Sequence, residues 1–242
     1  MNFVLVHGGF HGGWCWREVA RLLRGQGHAV SHPTQTGLGE RSHLRSNALT
    51  LDLYIQDLVQ HLVYEDLHDV VLVGHSFGGL AISGAAQHQP QRIRELVYLD
   101  ALILQPGQTP FGALPPEVVV QRRAACVDLG DMRGFTPPPA SGFGIPADHP
   151  LAAWVEARLS HQPASLYDSP LNISAPIGNG LRCTYIACTD PVLPAVASSQ
   201  AWARAQAGWR WHELATGHDA MITAPDALAE LLMRIAQGMS QT

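Results

Sequence analysis

Residues 70–79, VVLVGHSFGG, decide how the rest of the chain is interpreted. Four apolar residues, mostly β-branched, predict a buried strand, and residues 80–87 predict a helix. Between them stands a G-x-S-x-G motif centred on Ser76. In a strand–turn–helix context this motif places a serine on a sharp, strained turn, with its hydroxyl clear of the sheet and helix amides directed at it. We expect side chains at Gly74 and Gly78 to collide with the neighbouring strand and helix, which explains both glycines.

Size and composition favour a compact α/β protein. The chain has 242 residues, 46% hydrophobic and 14% charged, with a net charge of −5. The net charge is negative and shows no excess of basic residues, so we expect no nucleic-acid partner. Apolar runs are shorter than the ~18 residues that span a bilayer, and the first residues lead directly into an apolar strand without a signal-peptide pattern. We therefore expect a cytoplasmic protein without membrane association. The oligomeric state is left open, with a homodimer as one option.

Cysteines and histidines show no metal-binding pattern. The four cysteines lack zinc-type or redox spacing, and the thirteen histidines are scattered. His7 and His11 are four residues apart, but glycine pairs interrupt the segment. We expect neither a metal ion nor a cofactor.

Strand-like and helix-like segments alternate, which predicts a mainly parallel sheet with helices on both faces. Strands are predicted at residues 3–6, 28–31, 70–73, 96–99, 182–187 and 209–214. Helices are predicted at residues 14–24, 51–62 with Thr50 as N-cap, 80–87, 198–207 and 225–236.

Residues 105–176 differ in composition from the rest, being rich in proline and glycine with large apolar residues interspersed. We interpret this segment as an inserted, mostly helical cap, and residues 1–104 and 177–242 as the core. A disordered linker is the alternative, but the apolar residues are suited to covering a pocket. They are Phe111, Leu114, Phe135, Phe143, Trp154, Leu159, Leu166 and Tyr167.

A serine hydroxyl needs a base, and the base needs an acid that orients it. His218 follows the last predicted strand, where α/β sheets collect site residues. Asp190 follows the strand at 182–187 and is our favoured acid, because it lies between Ser76 and His218 in sequence. Asp100, which ends the strand at 96–99, is the alternative. We interpret Asp219 as a loop or capping aspartate.

An oxyanion that develops in such a site requires two N–H donors. The amide of Phe77, directly after the serine, is one candidate. The amide of Gly9, in the glycine-containing loop after the first strand, is the other.

These motifs together resemble the α/β-hydrolase superfamily over nearly the whole chain. The opening segment His7-Gly8-Gly9-Phe10-His11-Gly12-Gly13-Trp14, with the elbow and Gly217-His218, resembles the branch of plant methylesterases, plant hydroxynitrile lyases and their bacterial esterase relatives. The resemblance implies a parallel sheet with a helical cap, starting here without the usual first two strands. Bacterial relatives include hydrolases of carbamate-type compounds.

Within that branch the residues favour an esterase over a lyase. The lyases usually carry threonine after the first histidine, lysine after the catalytic histidine and glutamate before the serine. This chain has Gly8, Asp219 and His75 there. We expect the Asp219 carboxylate to repel cyanide.

The sequence thus predicts a cofactor-free serine hydrolase that cleaves small, partly apolar or aromatic carboxylic esters, with carbamates as a further option. A carbon–carbon lyase and a non-catalytic binding protein are the alternatives. Predicted substrate contacts are Gly8, His11, Phe111, Trp154 and Met221.

Overall fold

Six parallel strands form the central sheet of the computed structural model, which describes residues 1–238. The predicted core also includes residues 239–242, which lie outside the described residues. The sheet order is β2-β1-β3-β4-β8-β9. These strands are β1 (Asn2–Val6), β2 (Ala29–Ser31), β3 (Val70–His75), β4 (Ile93–Leu99), β8 (Arg182–Cys188) and β9 (Arg210–Leu214); β5 to β7 belong to a second, small sheet.

Helices connect the strands, as the alternating pattern predicts. The Thr50 side chain accepts a hydrogen bond from the Leu53 amide (3.2 Å), which confirms the predicted N-cap. The α-helices of the core are α1 (Arg17–Gly25), α2 (Leu51–Tyr64), α3 (Gly78–His88), α7 (Ala197–Arg204), α8 (Ala220–Thr223) and α9 (Pro225–Ala236); α4 to α6 belong to the segment between β4 and β8.

Side-chain alternation along the central strands produces two cores, one on each face of the sheet. Val4, Val6 and Leu72 pack with α2 and α3 on one face. Phe3 and Leu5 pack with α1 and α9 on the other. All six residues of β3 are buried. The strand that ends at the serine is therefore fixed from both sides.

Residues 105–176, predicted to form a cap, form ordered elements between β4 and β8. Besides short helices they contain a three-stranded antiparallel sheet, which the sequence did not indicate. Their treatment as a separate cap domain stays a prediction. The elements are α4 (Pro116–Ala124), β5 (Val127–Asp128), β6 (Arg133–Phe135), α5 (Ala152–Glu156), β7 (Gln162–Pro163) and α6 (Ser165–Asp168).

Within the described residues, no helix has both the length and the apolar character needed to cross a bilayer.

A buried polar cluster links the neighbouring strands β4, β8 and β9. Glu95 on β4 is fully buried and accepts a hydrogen bond from Thr184 on β8 (2.6 Å) and an ion-paired hydrogen bond from Arg210 on β9. The Arg210 side chain is 25% exposed. The arginine thus neutralises a carboxylate that water does not reach.

Replacing Arg210 by methionine should leave the Glu95 charge buried and unpaired, and should lower the free energy of unfolding by about 3 kcal/mol. Chemical denaturation would measure this. Arg204→Met is the control, because Arg204 is 68% exposed and pairs with Glu213 at 3.6 Å; it should cost about 0–1 kcal/mol. Equal losses for the two variants would contradict the prediction.

Candidate active site

Ser76 occupies a strained turn between β3 and α3, with a positive φ of 51°. A Cβ at Gly74 would lie 2.8 Å from the Gly78 carbonyl oxygen, and one at Gly78 would lie 2.6 Å from the His7 carbonyl oxygen. Both glycines are thus required by close backbone packing, as the sequence predicts. The turn presents the serine at the carboxyl edge of the sheet.

His218, in the loop after β9, is paired with Asp100. The distance from His218 Nδ1 to Asp100 Oδ2 is 2.6 Å, and both residues are buried. The other carboxylate oxygen of Asp100 accepts hydrogen bonds from the Gln200 side chain (2.7 Å) and the Cys188 amide (3.3 Å). These donors stabilise a buried carboxylate, which fixes the ring orientation of His218.

The preference for Asp190 over Asp100 as the partner of His218 is wrong. Asp190 is exposed, and its amide donates to the Thr216 carbonyl (3.0 Å). The strand register pairs Leu99 of β4 with Ile186 of β8. Asp100 therefore follows its strand directly, whereas Asp190 lies three residues further along, or roughly 10 Å of extended chain.

Side chains hold several peptide groups of the loop after β1. His7 Nδ1 donates to the Gly8 carbonyl (2.7 Å), and His7 Nε2 accepts from the Gln35 amide (3.0 Å). Burial lowers the pKa of His7 to about 4, so this ring is neutral. Gln162 accepts from the Phe10 amide (2.9 Å). The His7 contact orients the Gly8–Gly9 peptide, which carries the Gly9 N–H.

Gly9 and Phe77 lie beside Ser76 and His218 in the wall of one cavity. Phe77 precedes α3, so its amide belongs to the free N-terminal donors of that helix. Among the described residues neither amide donates to another protein group. The two amides can therefore serve a ligand oxygen.

The cavity has a volume of about 350 Å³ and a mainly apolar lining. Its walls come from the loop after β4, the segment 105–176 and the loop after β8, and Arg122 is the cation among them. The larger apolar lining residues are Phe10, Phe77, Leu102, Ile103, Leu104, Leu114, Phe135, Phe143, Tyr167, Leu193 and Val196. Leu114, Phe135, Phe143 and Tyr167 belong to the apolar set expected to cover a pocket.

The five predicted substrate contacts are described residues, and they lie outside this lining. Gly8 is behind the serine, since a Cβ there would lie 2.8 Å from Ser76 Cβ. His11 and Met221 are buried in the core. Phe111 packs behind the cavity wall against Tyr167 (5.1 Å between ring centroids), and Trp154 packs against Trp14. The structure therefore does not place these five residues on the cavity surface, because sequence spacing does not show which face of a loop residue meets the cavity.

His11 and Asp219 form a buried pair that the sequence did not indicate. His11 Nε2 lies 2.9 Å from Asp219 Oδ2, and His11 Nδ1 lies 2.7 Å from the Gly9 carbonyl oxygen. Asp219 lies in the loop before α8 and is the N-cap residue of that helix, as interpreted from the sequence, but its side chain is fully buried and pairs with His11 instead of capping the helix. It also lies outside the cavity lining, and the expected repulsion of cyanide by its charge stays a prediction.

His75, His218 and Asp219 have side-chain atoms within 4.8 Å of one another, which is a spacing that suits a metal ion. Each of these side chains makes a hydrogen bond, while His75 Nδ1 and Asp219 Oδ1 are buried without a partner among the described residues. His75 Nε2 donates to the His218 carbonyl (3.0 Å), while His218 and Asp219 bind Asp100 and His11. We therefore interpret the group as a hydrogen-bonded network.

A serine on a strand–helix turn, a histidine–aspartate pair and two free amides around one cavity are the features of an α/β-fold serine hydrolase. Residues 3–231 match the model of the alpha/beta hydrolase family. The chain belongs to this family.

Curated relatives of the chain include named esterases. The carbendazim hydrolyzing esterase of Nocardioides sp. is 39% identical over 244 residues, covering 96% of this chain and 98% of that protein. Methylesterase 10 of Arabidopsis thaliana is 27% identical over 263 residues, covering 97% and 91%.

A similar solved structure is an extracellular alpha/beta-hydrolase from a Paenibacillus species, described as sharing structural and functional homology with tobacco salicylic acid binding protein 2. It has a TM-score of 0.80 and 26% identity, and the match covers 98% of both chains. The resemblance to the methylesterase branch is thereby confirmed.

Asp100→Asn should lower kcat for a p-nitrophenyl ester by about 10³–10⁴-fold, because the amide no longer stabilises the imidazolium of His218. Steady-state kinetics would measure it. Asp190→Asn is the matched control and should stay within about twofold of the wild type. A large loss in the Asp190 variant alone would restore the original assignment.

Proposed function

We propose that the protein is a serine esterase in which Ser76, His218 and Asp100 cleave small carboxylic esters. One observation carries the proposal: Ser76, His218, Gly9 and Phe77 all border a single apolar cavity. The esterase relatives support the same reaction class. The chemistry requires no group beyond these residues and water.

In the first half of the reaction, His218 removes the proton of Ser76 as the hydroxyl attacks the ester carbonyl carbon. The charge on the carbonyl oxygen is stabilised by the amides of Gly9 and Phe77. Asp100 stabilises the imidazolium that forms. His218 then gives its proton to the departing alkoxide, which leaves as the alcohol.

In the second half, water attacks the acyl-enzyme with His218 again as base, and the acid product leaves Ser76. A carbamate can follow the same steps through a carbamoyl-enzyme, since its carbonyl carbon is also attacked by a serine. Esters come first in this proposal, because they are the more reactive of the two.

Cavity size and lining limit the substrate. About 350 Å³ accommodates a ligand of moderate size. Leucine, phenylalanine and tyrosine side chains around it favour an apolar or aromatic group on the ester.

The alternatives are less compatible with the site. A threonine at position 8, as in the lyases, would place its Cβ 2.8 Å from Ser76 Cβ and would displace the nucleophile. A non-catalytic binding protein does not require the 2.6 Å pairing of His218 with Asp100. A cytoplasmic location and a homodimer stay predictions.

Ser76→Ala should abolish release of p-nitrophenol from p-nitrophenyl acetate, because the acyl acceptor is removed. A stopped-time absorbance assay would measure this, with circular dichroism as the check on folding. Mandelonitrile, tested in parallel, should release cyanide no faster than in buffer. Full turnover in Ser76→Ala, or cyanide release by the wild type, would reject the esterase proposal.

Leu114→Ala should raise KM for a p-nitrophenyl ester with a longer acyl chain by about three- to tenfold, because one apolar wall of the cavity is removed. Trp154→Ala is the control, since Trp154 lies outside the lining. Initial-rate measurements give KM for both variants. A rise in KM confined to Trp154→Ala would contradict binding of the substrate in this cavity.

A further inference from the structure

His11 has two hydrogen-bond acceptors, one at each ring nitrogen. These are the Gly9 carbonyl oxygen at 2.7 Å from Nδ1 and Asp219 Oδ2 at 2.9 Å from Nε2. A neutral imidazole carries one N–H and can donate to only one of them. An imidazolium donates to both, so with Asp219 as a carboxylate the two contacts form a buried His11⁺–Asp219⁻ ion pair.

The surroundings of His11 support this charge state. Burial lowers the pKa of His11, but attraction to the Asp219 carboxylate and the hydrogen bonds to Asp219 and Gly9 outweigh it, so the pKa is raised above 6.5. Side-chain exposures of 1% for His11 and 0% for Asp219 keep solvent from weakening the attraction.

Other titratable groups face the pair from the elements packed around it. Burial lowers the pKa of His7 to about 4, and burial with nearby histidines holds the pKa of His75 well below 6.5. Burial raises the pKa of the thiols Cys15, on the turn after His11, and Cys188, at the end of β8. These four are uncharged at neutral pH. The fifth facing group is the proposed base His218, adjacent to Asp219 in the chain.

The pair joins two loops that the proposed reaction uses. His11 holds the carbonyl of the Gly9–Phe10 peptide, which directly follows the Gly8–Gly9 peptide that carries the proposed oxyanion donor, the Gly9 N–H. Asp219 directly follows His218, and its own amide donates to the Phe143 carbonyl (3.0 Å) in the cavity wall. One ion pair therefore connects the oxyanion loop after β1 to the loop after β9.

We propose that His11 and Asp219 are positioning residues, whose ion pair holds the Gly9 amide in place for the oxyanion during ester hydrolysis. The inference rests on the proposed esterase function. Gly9 has no side chain to limit its backbone, so the orientation of its peptides depends on contacts such as this one. The pair touches no substrate and acts only through the Gly9 backbone and the His218 loop.

Loss of the proton from His11 leaves one of its two contacts without a donor. Because the pKa of folded His11 is raised, both His11 hydrogen bonds are present below that pKa, and one of them is lost as the pH rises through it. We therefore expect kcat to fall at alkaline pH with this titration.

Asp219→Asn tests the pair, since the amide is isosteric but carries no charge. We expect kcat to fall by about ten- to hundredfold through misplacement of the donor, while KM stays within about twofold. The alkaline decrease of kcat should move to lower pH. A trifluoromethyl ketone, which forms an oxyanion on Ser76, should bind more weakly by the same factor as kcat falls.

Arg210→Met is the matched control, because it also breaks a buried ion pair but lies away from the cavity. It should lower stability and leave kcat, the pH profile and inhibitor binding unchanged. If Asp219→Asn does not fold, the uncharged double variant His11→Gln/Asp219→Asn replaces it. The double variant should have a low kcat without the alkaline decrease.

Wild-type values of kcat, pH profile and inhibitor affinity in a folded Asp219→Asn or double variant would overturn the inference. The Ser76→Ala variant distinguishes failure of this inference from failure of the esterase proposal. If the esterase proposal is wrong, Ser76→Ala should turn over the ester as fast as the wild type. A readout independent of turnover is the ¹⁵N spectrum of His11 in Ser76→Ala at neutral pH. Two protonated ring nitrogens are expected, and a neutral ring would overturn the inference.

Discussion

Close backbone contact at Gly78 is the constraint on which the site depends. The start of α3 approaches the carbonyl at the end of β1 so closely that a Cβ would lie 2.6 Å from the His7 oxygen. This contact brings the serine turn and the loop after β1 together, and with them the amides of Phe77 and Gly9. A larger residue would separate the nucleophile from one of its oxyanion donors. The positive φ of Ser76 is maintained because β3 is buried on both faces.

Buried polar contacts add to this backbone packing by fixing the conformation of the loop after β1. In the loop after β1, His7 holds the Gly8 carbonyl and His11 holds the Gly9 carbonyl. Two distant side chains add to this, because Gln162 from β7 accepts from the Phe10 amide and Asp219 pairs with His11. The loop itself contains two glycines and has little intrinsic preference. Its conformation is therefore set by tertiary contacts, and the serine site is organised over the full length of the sequence.

The sequence was sufficient for the fold and for the strained turn that presents Ser76, because both depend on local patterns. Apolar runs of strand length, the Thr50 cap and the glycines around Ser76 each have a short-range physical cause. The partner of His218 depends on strand register, and neighbouring parallel strands can both end in an aspartate. Asp100 and Asp190 could not be ranked correctly without knowing that Leu99 lies level with Ile186. The residues that line the cavity and the His11–Asp219 contact could not be predicted for a related reason. Side-chain direction in irregular segments does not follow a periodic pattern in the sequence.

Placing Asp100 directly after β4 has a consequence for the loop that follows β8. In this chain that loop carries an exposed Asp190 and contributes Leu193 and Val196 to the cavity wall. The residues that hold the Asp100 carboxylate, Cys188 and Gln200, flank the loop and lie outside it. Substitutions at Leu193 or Val196 can therefore reshape the pocket while the contacts of Asp100 are kept. Divergence toward new substrates can therefore proceed there by small steps, each leaving the reaction chemistry intact.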